Sequence, residues 1–283
     1  MNAPQAADPQ AADPQAADPR AVDPQPVTPQ LVAHLAATLD EAALAHRTVA
    51  RLTDTTDLDL AAAYRVQRAV IDRRLARGEA LIGVKMGFTS RAKMMQMGVD
   101  DVIWGLLTDA MLVEEGGVLD PAELIHPRIE PEIAFLIGSP LSGTVTPAEA
   151  VRAIAGVAVA YEVLDSRYAD FDFTLPDVIA DNASAAGFGF GTWHDPAGLD
   201  LSNLGLLVEI DGRVVTSGSS AAILGNPLRS LIAAARLAAE AGLELRPGWV
   251  VLAGAATAAM PLPGGVHVRV SAAGLGRAEV TTR

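Results

Sequence analysis

Two glutamates one residue apart are the first residues whose types and spacing suggest chemistry. They are Glu130 and Glu132, in the run Ile125-His126-Pro127-Arg128-Ile129-Glu130-Pro131-Glu132-Ile133-Ala134-Phe135. In an extended strand successive side chains alternate faces, so both carboxylates project to one side while Ile129, Pro131 and Ile133 take the other. Like charges held that close repel, and each loses hydration when the face is even partly buried; a bound cation is the simplest compensation. Pro131 agrees with this, because proline pushes the residue before it toward extended geometry and is tolerated at a strand edge or entrance. The plainer alternative is a half-buried strand with a solvated acidic face, which antiparallel sheets often show. A third acid, Glu162, stands in the otherwise apolar run Val157 to Val163. A lone carboxylate there would be costly to bury, so Glu162 is a candidate third ligand. Three carboxylates make an all-oxygen site that selects a hard cation, Mg²⁺ or Mn²⁺. His126 could be a ligand too, but a histidine at a strand entrance beside a proline is more often a structural residue or a support for the ligands.

The elements that must position these residues follow from punctuation and periodicity. Thr28-Pro29 supplies an N-cap and a first-turn proline for a helix to about Arg47, and a second helix follows Asp57 or Asp59 and ends near Gly78. Together they form an N-terminal helical layer. Leu81 to Gly87 reads as a short buried strand interrupted by Lys85, and Gly105-Leu106-Leu107-Thr108-Asp109 reads as loop and turn. Thr146-Pro147-Ala148-Glu149 is a capping box that opens a helix. Asp211-Gly212 between Leu206–Ile210 and Val214–Thr216 is a hairpin signal. Asn226-Pro227 caps a helix ending at Gly242, with strands around Val250, Val268 and Val280. Strands and helices do not alternate strictly, so the fold class is α+β: a single domain, residues 28–283, on a mixed, strongly curved sheet. Residues 1–27 stand apart as an Ala/Asp/Pro/Gln pentapeptide repeat, Ala6 to Gln10 and onward, with proline every fifth residue. That composition predicts a disordered tail.

Composition bounds the function. The chain of 283 residues is 50% hydrophobic, enough for a sizeable core, and its formal net charge of -13 argues against nucleic acid or an anionic membrane as partner. With no cysteine there is no disulfide, thiolate nucleophile or iron–sulfur cluster. Neither a secretory leader nor a long apolar span is evident, so a cytoplasmic protein is expected. The Gly187, Gly189, Gly191 spacing is a weak nucleotide signal, because no helix follows it. The motifs of serine hydrolases, phosphate-binding loops and zinc proteases do not occur.

Four segments in order carry a resemblance: Gly83-Val84-Lys85-Met86-Gly87-Phe88-Thr89-Ser90-Arg91-Ala92-Lys93-Met94; His126-Pro127-Arg128-Ile129-Glu130-Pro131-Glu132; Glu162-Val163-Leu164-Asp165-Ser166-Arg167-Tyr168; and Ile179-Ala180-Asp181-Asn182-Ala183-Ser184. The chain from about Leu31 onward resembles the 4-oxalocrotonate decarboxylase and 2-hydroxypentadienoate hydratase family, within the fumarylacetoacetate hydrolase-like superfamily. The resemblance implies a metal held by Glu130, Glu132 and Glu162, a catalytic lysine at Lys85 and an acidic partner at Asp109. It also implies Asn182, Ser184 and Thr257 as pocket-wall residues. A homo-oligomer, a small dicarboxylate 2-oxo acid as substrate and a complex with a homologous hydratase belong to the same expectation.

The segment around Lys85 and the run Phe171-Asp172-Phe173-Thr174-Leu175-Pro176-Asp177 resemble the decarboxylase branch more than the hydratase branch. Two departures bear on the pocket wall: Gly254-Ala255-Ala256-Thr257 lacks a usual serine, and Ser220 stands where glycine is usual. Decarboxylation of 2-oxo-3-hexenedioate is the activity expected. Hydration of 2-hydroxypenta-2,4-dienoate and a non-catalytic, partner-stabilising role are the alternatives. Lys85 is expected to share one pocket with the three glutamates, near Asp109; an ammonium in bulk solvent far from Glu130 contradicts this.

Overall fold

The computed structural model describes residues 27–90, 94–95 and 100–283. The repeat tail read in residues 1–27 lies outside the described residues except for Val27, which packs against the helical layer. The described helices are α1 (Pro29–Leu44), α2 (Leu60–Ala76), α3 (Pro147–Ala153), α4 (Leu175–Ala180) and α5 (Pro227–Glu240). The strands are β1 (Leu81–Gly87), β2 (Ile103–Thr108), β3 (Val118–Leu119), β4 (Arg128–Ile137), β5 (Ile154–Leu164), β6 (Ala185–Phe190), β7 (Gly205–Ile210), β8 (Arg213–Ser219), β9 (Val250–Ala255), β10 (Met260–Pro261), β11 (His267–Ala272) and β12 (Gly276–Thr282). The helices begin where side-chain caps replace missing backbone partners. Thr28 accepts from Leu31 N, Asp59 from Ala62 N and Asn226 from Leu228 N. Thr146–Glu149 and Thr174–Asp177 are reciprocal capping boxes at α3 and α4.

The strands divide between two sheets. The larger runs β2-β1-β9-β4-β5-β6, with β10 joined to β4, and the smaller runs β3-β12-β11-β7-β8. Each contains one parallel pair, β1 with β9 and β3 with β12, so both are mixed. Ile129, Ile133 and Phe135 on one face of β4 join Val208, Val268, Val270 and Val280 of the smaller sheet in one buried core. Alternation sends Glu130 and Glu132 to the opposite face of β4. Helices α1 and α2 cover the β2 end of the large sheet, packing Leu35, Leu39 and Val66 with Ile103, Tyr168 and Ile179.

Two local readings need correction. Gly105 to Thr108 is strand rather than loop, because β2 is buried at every position and so shows no apolar–polar alternation. Gly105, which suggests a turn, is required by packing: a Cβ there would stand 2.6 Å from the Asn182 carbonyl oxygen and 3.1 Å from Lys85 Cδ. Pro131 lies within a strand paired on both sides rather than at an entrance. Its neighbour changes from β10, opposite Ile129, to β9, opposite Glu132, so no ladder bond is asked of its missing N–H.

Within the helical layer Asp40 is 3% exposed and accepts from Arg73 Nε and from both terminal nitrogens of Arg77, each at 2.7 Å. Burial would raise its pKa, but the hydrogen bonds from Arg77 and Arg73 outweigh it and hold the carboxyl below the usual range. A depressed folded pKa contributes stability above the unfolded value of about 3.9 and loses it as pH falls through the folded value. Asp40→Asn is therefore expected to lower unfolding free energy at pH 7 by about 1.5–3 kcal/mol. Urea unfolding at pH 7, 5 and 3.5 checks this; the gap to wild type narrows at the lowest pH.

Candidate metal centre

The register of β4 and β5 is unbroken from Arg128↔Leu164 to Leu136↔Gly156, and it sets Glu130 directly opposite Glu162 and Glu132 opposite Ala160. All three acids share a face, and the small Ala160 leaves room beside Glu132. Carboxylate oxygens of the three lie within 4.8 Å of one another. Glu130 is 5% exposed, and Glu132 and Glu162 are fully buried. Glu132 Oε2 accepts from Gly254 N at 2.7 Å, while Glu132 Oε1 and Glu162 Oε2 have no hydrogen-bond donor. Burial, then the nearness of Glu162, raises the pKa of Glu132 well above the ordinary value, with Lys85 opposing. Burial likewise raises Glu162 to about 7 against the pull of Lys85.

Lys85 is 3% exposed and its Nζ lies 3.0 Å from Glu162 Oε1. In sheet order β1 and β5 are separated by β9 and β4. Three interstrand steps would place them about 14 Å apart in a flat sheet, so the contact requires the sheet to curl around this face. Nζ also donates to the Ala183 carbonyl at 2.9 Å. That carbonyl belongs to a turn in which Asn182, Ala183 and Ser184 have φ of 50°, 51° and 59°. Three successive non-glycine residues in the left-handed region each cost about 1–2 kcal/mol, and the surrounding structure must hold them there. Two clamps do so. The Asn182 amide accepts from Leu106 N and donates to Leu106 O, both at 2.8 Å. Arg167 donates through Nε to the Asp181 carboxylate and through its backbone N–H to Asp181 Oδ2.

The structure brings Lys85, Glu130, Glu132 and Glu162 together, but Asp109 is not among them. Asp109 follows the end of β2, is exposed, and spends Oδ1 on Ala80 N and Ala110 N at 2.9 Å. The acidic partner of Lys85 is Glu162, because the Lys85↔Gly105 pairing leaves Asp109 beyond the far end of the β1–β2 ladder. Asn182 is consumed by Leu106 and so braces the wall. Ser184 Oγ is buried and without a partner. Thr257 is half-buried in the loop after β9 and donates to Ala258 O at 3.0 Å. His126 is not in the carboxylate cluster; its ring packs 5.0 Å from that of Phe171. Ser220 Oγ donates to Leu201 O and accepts from Leu204 N, each at 2.7 Å. Sequence reasoning missed the Ala183 carbonyl and the Gly254 N–H, which are backbone groups with no side-chain signature. Arg167 and Asp181 lay inside quoted motifs yet had no assigned part.

Residues 80–283 match the fumarylacetoacetate (FAA) hydrolase C-terminal family, and the chain belongs to that family. More narrowly, it is 53% identical over 251 residues to the 4-oxalocrotonate decarboxylase of a Pseudomonas species, covering 89% of this chain and 98% of that one. It matches the structure of 4-oxalocrotonate decarboxylase from Pseudomonas putida G7, complexed with magnesium and adipate, with TM-score 0.88 and 38% identity over 92% of this chain and 100% of that chain. It is also 38% identical over 230 residues to a 2-keto-4-pentenoate hydratase of Burkholderia vietnamiensis, covering 79% of this chain and 87% of that one.

The residues present fit a hard divalent cation. The donors are all oxygen, and two buried carboxylate atoms, Glu132 Oε1 and Glu162 Oε2, lack any hydrogen-bond donor. Without a cation the cluster destabilises the fold, so Glu132→Gln is expected to leave the EDTA-treated protein as stable as wild type or more so. The same variant should lose the stabilisation by Mn²⁺, which for wild type is about 2.7 kcal/mol at a hundredfold excess over Kd. Thermal unfolding with and without Mn²⁺ reads both; equal metal stabilisation of the variant contradicts the assignment.

Proposed function

We propose that this chain is a divalent-metal-dependent lyase that decarboxylates 2-oxo-3-hexenedioate to 2-hydroxypenta-2,4-dienoate. The observation that carries the reading is the convergence of Glu130, Glu132 and Glu162 on one buried point beside the Lys85 ammonium. Likeness to 4-oxalocrotonate decarboxylases over nearly their whole length supports the choice of substrate. The three glutamates would hold Mg²⁺ or Mn²⁺, which when bound supplies a Lewis acid for the 2-oxo acid end of the substrate.

The electron flow needs little more than positive charge at one oxygen. The C5–C6 bond breaks and releases CO₂; its electron pair forms the C4–C5 double bond, the C3–C4 pair shifts to C2–C3, and the 2-oxo oxygen becomes an enolate oxygen. One proton on that oxygen completes the dienol. Lys85 faces the same pocket and can donate a hydrogen bond or that proton. Ala183 O and Glu162 fix the position of its Nζ. The preorganised ammonium works best here because the surrounding face is buried, where a fixed charge is little screened. Apolar Leu252 of β9 and Ala134 of β4 help keep water from the sheet around it.

Chemistry also supports the partners in this reading. The dienol product is the substrate of a hydration step, so a homologous hydratase is the enzyme class that must consume it. A cytoplasmic homo-oligomer, alone or with that hydratase, completes the proposal.

The assay is direct. Purified protein with Mg²⁺ or Mn²⁺ is expected to release CO₂ from 2-oxo-3-hexenedioate faster than it hydrates 2-hydroxypentadienoate, followed by diene absorbance. Lys85→Met should lower kcat on the order of 10²–10⁴-fold while Mn²⁺ still raises the unfolding midpoint. Rapid hydration with no CO₂ released would reassign the reaction and leave the metal centre intact.

A further inference from the structure

Arg128 has no part in the reaction as derived so far, yet the sheet aims it at the site. It pairs with Leu164 in the same unbroken register that pairs Glu130 with Glu162. By alternation it leaves β4 on the face of the carboxylates, one rung outside them, about 7 Å along the strand. Arg128 is half-buried, and its guanidinium makes, among the described residues, no ion pair or hydrogen bond with a carboxylate. Instead it lies 4.0 Å over the ring of Phe171. Phe171 is in turn flanked by His126 at 5.0 Å and Phe173 at 5.9 Å between ring centroids. Asp170 and Phe171 have φ of 56° and 59°, left-handed values that a non-glycine pair adopts only under constraint, so the backbone turns sharply where this ring is presented. Asp165, which follows Leu164 opposite Arg128, is already engaged, since its oxygens accept from Ile125 N and His126 N.

A stacked guanidinium keeps its N–H edge free, and that edge matches a carboxylate in two parallel hydrogen bonds. The substrate in the reading above is an extended six-carbon diacid. One end belongs at the glutamates and Lys85, and its length places the other end about one strand rung away. Lys85 cannot serve both ends, because its Nζ is held by Glu162 and Ala183 O. We infer that Arg128, braced on Phe171, receives the distal carboxylate of the substrate and so selects dicarboxylate 2-oxo acids over monocarboxylate ones. The inference rests on the decarboxylase reading and supplies what that reading leaves open, the group that holds C6. A rigid fork there also fixes the direction of the C5–C6 bond, which must stand across the plane of the conjugated system for its electrons to enter it.

The test uses two unreactive ligands, 2-oxoadipate and 2-oxohexanoate, which have the same chain length and differ in the distal carboxylate. Both lack the alkene that CO₂ loss requires. Calorimetric titration of the Mn²⁺-loaded full chain is expected to show wild type preferring 2-oxoadipate by about ten- to hundredfold, the worth of one charge-assisted contact. Arg128→Gln should reduce that ratio to within about threefold while Mn²⁺ affinity is unchanged. Arg128→Lys, which keeps the charge but not the planar fork, should fall between, and it stands in if the glutamine variant does not fold. A preference that survives both substitutions, or a wild type with no preference, overturns the assignment. The decarboxylase reading fails separately: a wild type that prefers 2-oxoadipate but releases no CO₂ from 2-oxo-3-hexenedioate refutes the reaction and leaves Arg128 in place.

Discussion

Repulsion among three buried carboxylates is the interaction around which the large sheet is arranged. Two unit charges 4 Å apart interact by about 4 kcal/mol at an effective dielectric constant of 20, a load on a marginally stable fold that the raised pKa values of Glu132 and Glu162 relieve only by keeping protons on them. Among the described residues the Lys85 ammonium meets Glu162 and the Gly254 N–H meets Glu132, while Glu132 Oε1 and Glu162 Oε2 keep no donor, an arrangement that a divalent cation fits. The curl of the sheet follows from the same need. Only by wrapping β9 and β4 can a lysine on β1 touch a glutamate on β5.

Holding that lysine consumes much of the surrounding structure. Its second contact is a carbonyl in a turn with three left-handed residues, and that turn is fastened to β2 by the Asn182 amide and to the end of β5 by Arg167 and Asp181. Glycine at position 105 lets the turn and the lysine stem approach the strand together. Gly254 does the same on β9: its φ of 107° turns the N–H to Glu132, and a Cβ there would meet Thr89 at 2.2 Å. Strain in the turn and missing side chains in the strands are two halves of one arrangement, in which backbone groups hold Lys85 and Glu132 in place.

What could be read in advance depended on whether the physics was local. The caps at Thr28, Asp59, Thr146 and Asn226 are satisfied within three residues of themselves, and each marked a real helix start. The paired Glu130 and Glu132 were legible through strand alternation, and Glu162 through its incongruity in an apolar run. Strand β2 was not legible, because burial on both faces erases alternation and its glycine imitates a turn. Asp109 was misplaced for a related reason: adjacency to Leu106 and Leu107 in sequence says nothing about which end of the ladder faces the lysine. The division into two sheets depends on pairings such as β3 with β12, whose partners lie far apart in the chain and leave no sequence mark. The Phe171 segment had a signal in its resemblance, but its placement under Arg128 is a tertiary fact.

The parallel seam between β1 and β9 joins residues from opposite thirds of the chain, with Lys85 beside Leu252. The glutamates, by contrast, all lie on β4 and β5, neighbours in sequence with one short helix between them. Closing the longer loop costs more conformational entropy than closing the shorter one, and pairings of high sequence separation slow folding. On those grounds the acids meet as soon as β4 and β5 zip together, whereas their lysine arrives only when the distant ends of the domain close. A divalent ion in the folding medium would then act on assembly as well as on the finished pocket, neutralising the acidic cluster during the interval when the chain cannot yet supply its own counter-charge.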